Sequence, residues 1–160
     1  MSYLDLPVPN KSEHLWRYTP WTKVHPTKID AIPQIEPASV IVNGELISSE
    51  QVSSQYQTHE ISRTFLRESN NLQFNLVVND DNPDLTVDIK TVGTISSTNL
   101  HIQGKTSGSV TLRITGEVNW FGLSIQGNLE NNVNLSYAII NQLNDKATVL
   151  RTEDWNVARD

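Results

Sequence analysis

A chain of 160 residues has room for one domain with an ordinary hydrophobic core and an N-terminal extension. A formal net charge of -6 and a pI near 5.1 leave no basic face for nucleic-acid phosphates and match an anionic membrane equally poorly. With no cysteine, the chain has no disulfide, thiolate nucleophile or Cys-based metal or cluster site, which fits a reducing compartment.

The stretch from Met1 to Pro7 lacks the basic and apolar regions of a secretory signal. No apolar run approaches the ~20 residues that span a bilayer, so a cytoplasmic location is expected. Residues 1–38 form a segment rich in proline and aromatics. Pro7, Pro9, Pro20, Pro26, Pro33 and Pro37 each remove a backbone donor and constrain their predecessor, which rules out a long helix or central strand. One short helical turn is expected, with Ser12 as N-cap, Glu13 in the first turn and an end before Pro20. Trp16, Tyr18 and Trp21 are expected to lie on the body of the protein, each burying ~150–250 Å². Trp16, Arg17 and Tyr18 would anchor the segment there.

Residues 39–84 read as a hairpin, a short helix and a lead-in strand. Val40, Ile41 and Val42 form a strand, Asn43-Gly44 a type I′ turn, and Glu45-Leu46-Ile47 the return. From His59 to Glu68 the spacing of Ile61, Phe65 and Leu66 is helical. His59-Glu60 begins like a zincin helix, but no second histidine follows at the required offset, leaving an amphipathic helix with an exposed histidine. Phe74 to Val78 is a strand closed by the turn-rich run Asn79 to Asp84.

Residues 85–160 repeat one phrase, an alternating apolar strand followed by a polar turn. The strands are Leu85–Ile89, Asn99–Ile102, Val110–Ile114, Gly122–Ile125 and Val133–Tyr137, close to the ~8–12 residue spacing of all-β folds. Leu100, Ile102, Leu112 and Ile114 point inward; His101, Gln103, Thr111 and Arg113 point to water. Thr94–Thr98 and Lys105–Ser109 read as polar connectors. Gly104, Gly108, Gly116 and Gly127 are expected at strand ends. The repeat is compatible with a sandwich, a barrel or a solenoid.

The chain carries no recognisable catalytic apparatus. Asp80, Asp81 and Asp84 are its densest carboxylates, yet they lack the calcium-loop framework and Pro83 interrupts them, so a solvated turn is expected. Glu117, Glu130, Glu153 and Asp154 sit in separate turns without an evident aromatic platform, whereas glycoside cleavage needs two carboxylates ~5–10 Å apart. His14, His25, His59 and His101 are too scattered for a local metal motif. No catalytic, cofactor-binding or metal-binding residue is therefore assigned. A carbohydrate-binding or carbohydrate-active solenoid and a generic β-rich interaction module remain alternatives; an exposed aromatic stripe along one sheet would favour the former.

The segment Ser12-Glu13-His14-Leu15-Trp16-Arg17-Tyr18-Thr19-Pro20 resembles the Glu-x-x-Trp-Arg-Tyr-Thr entry segment of the SufB/SufD family of iron–sulfur cluster assembly scaffolds. Val40-Ile41-Val42-Asn43-Gly44 is similar to that family's short hairpin before its core. The stretch from Glu130 to Tyr137 resembles a family coil beginning with an acidic turn, with Ile140–Leu143 and Val157–Asp160 fitting the next coil and its exit. The resemblance implies an all-β, right-handed parallel β-helix behind a small, mostly irregular N-terminal segment with one or two short helices. It implies a non-catalytic, SufD-like scaffold acting with a SufC-type ABC ATPase and a SufB-like protein. The iron–sulfur cluster would be handled by the assembled complex, with no cofactor in this chain.

Family members run through further coils into a helical segment that engages the ATPase, and their cysteine and histidine positions lie in that later part. None can be carried onto this sequence. It is expected to be either an excised fragment or a shortened relative, and its open β-helix end is expected to self-associate or be covered by a partner.

Overall fold

A computed structural model describes Ser12, residues 35–52 and residues 72–158 of the chain. Eleven strands and no helix occur among the described residues. Apart from its expected N-cap Ser12, the helix expected before Pro20 lies outside them, as do the helix expected over His59–Glu68 and the aromatic anchors.

The strands are β1 (Glu36–Pro37), β2 (Ser39–Val42), β3 (Glu45–Leu46), β4 (Glu50–Gln51), β5 (Leu72–Val78), β6 (Asp84–Lys90), β7 (Ile95–Gly104), β8 (Gly108–Gly116), β9 (Trp120–Leu129), β10 (Leu135–Leu143) and β11 (Thr148–Val157). From β5 onward each strand pairs in parallel with the strand two further along. One sheet runs β11-β9-β7-β5-β4 and the other β10-β8-β6-β2-β3. This is a parallel β-solenoid of about three turns, the solenoid option of the sequence reading. Two strands and two turns make one coil, so Ile95 meets Trp120 and Trp120 meets Thr148.

The parallel register stacks aligned residues into columns on the same face. Phe74, Leu100 and Ile125 form one inward column, and Leu85 and Val110 begin one on the opposite sheet. All five are buried, and each such side chain stabilises the fold by about 1.5–3 kcal/mol. Columns stay filled by alternating sizes. Gly104 leaves room for Leu129, and Gly127 for the Trp155 indole, whose ring atoms a Cβ at that position would overlap.

Gly127 thus lies within β9, not at a bend, and its role is close packing. Of the four solenoid glycines singled out, only Gly116, at φ +127°, needs the left-handed region. A second correction concerns Thr94–Thr98. Ile95 through Thr98 belong to β7 and are buried, together with Asn99. Two of the four buried polar side chains there are met by backbone groups. Ser96 Oγ donates to the Glu36 carbonyl at 2.9 Å, and Asn99 Nδ2 to that of Leu72 at 2.9 Å. The Ser97 and Thr98 hydroxyls have no partner. Third, Tyr137 and Ile140–Leu143 share one strand, β10, which starts at Leu135; they do not occupy successive coils.

The hairpin forms as its sequence dictates. Asn43 and Gly44 take φ of 49° and 89°, the paired positive values of a type I′ turn. Strand β2 then pairs antiparallel with β6, which closes the first coil on that sheet.

Candidate functional site

The polar groups named from sequence fall into separate places. Asn79 and Asn82 exchange backbone hydrogen bonds, and the Asn82 N–H also donates to Asn79 Oδ1 at 2.9 Å, forming a self-contained turn. Asp80 and Asp81 are exposed on it. The Asp84 carboxylate is drawn away into β6, where it accepts from Ser109 Oγ at 2.5 Å. No three His, Asp or Glu side chains converge on a metal-sized site among the described residues.

Glu117 and Glu130 follow β8 and β9, whereas Glu153 and Asp154 are neighbours in β11 and so face opposite ways. Both oxygens of Glu153 are engaged by its own strand. Its Oε1 faces Arg151 Nε at 3.2 Å, and its Oε2 accepts from Trp155 Nε1 at 3.0 Å. His101 Nε2 lies 2.8 Å from Asn128 Nδ2 on the outer face of the first sheet. His14, His25 and His59 lie outside the described residues.

The last coil is chemically unlike the others. Its register aligns Arg151 with Leu123 and Glu153 with Ile125, two buried, inward-facing residues. Among the described residues two of the apolar columns therefore finish on an ion pair, while Val149 and Trp155 continue the columns beside them. Beside it, Tyr137 and Trp155 meet edge to face, with ring centroids 5.2 Å apart at 64°. The Tyr137 hydroxyl is buried without a hydrogen bond of good geometry. Burial first, and the neighbouring Glu153 carboxylate second, push its pKa well above the ordinary tyrosine value, against a smaller opposing pull from Arg151. Nothing in the local sequence signals that two charges point inward beside Trp155.

The opposite end carries a groove of about 320 Å³ between the β2–β3 hairpin and β5, with Val42, Glu45, Ile47, Asn75, Leu76 and Val77 among its walls. Asn75 Nδ2 donates to Glu50 Oε2 at 2.9 Å, tying β5 to β4. Asn43 tethers the hairpin to β6: its Oδ1 accepts from the Thr86 N–H at 2.8 Å and its Nδ2 donates to the Asp84 carbonyl at 3.2 Å. The Asn-Gly turn signals the hairpin, but nothing local signals that the same asparagine fastens it to a strand forty residues on.

These features define a parallel β-solenoid whose first and last described coils differ in chemistry. No family model, curated protein or solved structure matches the chain.

Proposed function

We propose that this chain is a SufD-like scaffold component of SUF-type iron–sulfur cluster assembly, non-catalytic itself and working in the cytoplasm with a SufC-type ABC ATPase and a SufB-like protein. One observation carries the reading. The Val40–Gly44 segment that resembles the family's hairpin docks on the first coil of a parallel solenoid, the architecture the resemblance implies. The cluster is cargo of the assembled complex. Among the described residues β10 and β11 each pair on one side only, and self-association through those edges is the alternative to a partner covering the solenoid end they form.

The test is reconstitution of the full chain with a purified SufC-type ATPase and SufB-like protein, together with deletion of its gene in the source cell. The expected outcome is a co-eluting complex and reduced activity of iron–sulfur enzymes in the deletion strain. No complex and unchanged iron–sulfur enzyme activity would remove the reading.

The carbohydrate alternative rests on an exposed aromatic stripe. Among the described residues Phe74, Trp120 and Phe121 are buried, and Tyr137 and Trp155 are half-buried against the core. No specific observation favours that alternative.

A further inference from the structure

We infer that the groove at the hairpin end is a strand-addition site for an extended, basic segment of a partner polypeptide. Three observations meet there. Asn75, Leu76 and Val77 are consecutive residues of β5, and all three line the groove. Consecutive residues of a strand alternate between its faces, so a groove touching all three runs along the strand's edge. That edge is open. Strand β4 pairs only with Leu72 and Gln73, and no strand lies beside Asn75–Val77 on this side among the described residues.

An open edge in a groove offers unpaired N–H and C=O groups to an incoming strand, while flanking pockets select its side chains. Val42 and Ile47, on the hairpin side, supply apolar walls for one face of such a strand.

Charge selects the occupant. Residues 35–52 and 72–84 contain Glu36, Glu45, Glu50, Asp80, Asp81 and Asp84, and no Lys or Arg. From residue 85 to residue 158 the signs are nearly balanced, so the negative potential of the described residues concentrates at this end. A strand alternating Lys or Arg with small apolar residues fits both the walls and the rim, and like-charge repulsion disfavours an acidic one.

The full chain is titrated into a fluorescein-labelled octapeptide of alternating Lys and Val, followed by anisotropy, and the bound edge is located by amide NMR shifts. Two control peptides replace every Lys by Glu, or one central Val by Pro. Saturable binding is expected, with shifts concentrated at Asn75–Val77. Affinity should fall about tenfold with the proline peptide, which lacks one backbone donor, and further with the acidic peptide. Glu45→Lys, at an exposed rim position, should weaken binding severalfold with the fold intact.

Equal affinity for the proline peptide would reduce the interaction to nonspecific charge and overturn the inference. Shifts centred on β10 and β11 would place strand addition at the other end, with the same consequence. Absence of saturable binding, as when the chain's own residues fill the groove, would also overturn it.

Discussion

At the scale of single residues, stability turns on how each column of the solenoid is filled. Gly127 exists to admit the Trp155 ring, so Gly127→Ala should lower stability by about 1–3 kcal/mol, the cost of overpacking a filled site. In a Trp155→Ala background the same substitution should cost nothing or stabilise slightly, since a strand prefers Ala to Gly. Thermal melts of the four proteins of this cycle check the assignment; additive losses would mean that the ring does not define the requirement. Tyr137 gives the second residue-level prediction. A phenol whose folded pKa exceeds its unfolded value resists ionisation in the native state. Its stabilising contribution is therefore complete below the unfolded value, about 10, and drains away as pH rises from there toward the higher folded value. Denaturant midpoints should fall above pH 10 in the natural chain and fall less in Tyr137→Phe. At neutral pH that variant should be at least as stable, because it removes a buried hydroxyl that lacks a well-formed hydrogen bond. Identical alkaline slopes for the two proteins would contradict this.

At the scale of elements, what is legible in the sequence follows from whether the cause is local. The Asn43-Gly44 turn is readable because both positive φ values arise within the dipeptide. The inward faces of β6 and β8, carrying Val87, Leu112 and Ile114, are readable because period-2 burial leaves its mark on each strand separately. Ser96–Thr98 read as part of a connector because their burial depends on β1, which no local window can see; Asn99 beside them depends in the same way on the backbone of Leu72. The candidate groove is not legible at all. Its edge is defined by which strand fails to pair with β5, a property of the topology and not of any residue. Asn43 shows the two kinds of information in one side chain, with a local turn preference and a distant tether to β6. Asn43→Ala should keep the solenoid but loosen the hairpin, costing about 1–2 kcal/mol for two lost hydrogen bonds. Hydrogen exchange should speed up at the Thr86 amide and stay unchanged at Leu112. Equal acceleration at both sites would mean that the hairpin and the solenoid open as one unit.

At the scale of the whole molecule, a solenoid is a chain of nearest-neighbour interfaces, so its stability should follow the burial of successive coils. Buried residues run through β5 to β9, whereas no residue of β10 or β11 is buried. Amides of the β11–β9 ladder should therefore exchange faster than those of the β9–β7 ladder, although both are hydrogen-bonded in parallel register. The inward pair Arg151–Glu153 sets what this terminal face presents. Placed over Leu123 and Ile125, it puts charge on top of two apolar columns among the described residues, and charge on such a face opposes its apolar burial against a second copy. Replacing both residues by Leu continues the columns and removes an ion pair that contributes little net stability where it is half-exposed. The Arg151→Leu/Glu153→Leu chain should then hold its fold, judged by far-ultraviolet circular dichroism and thermal melting. It should also sediment as larger species than the natural chain at equal concentration, because the end face has become apolar. If the two proteins sediment alike while the variant stays folded, the charges do not govern association at this end.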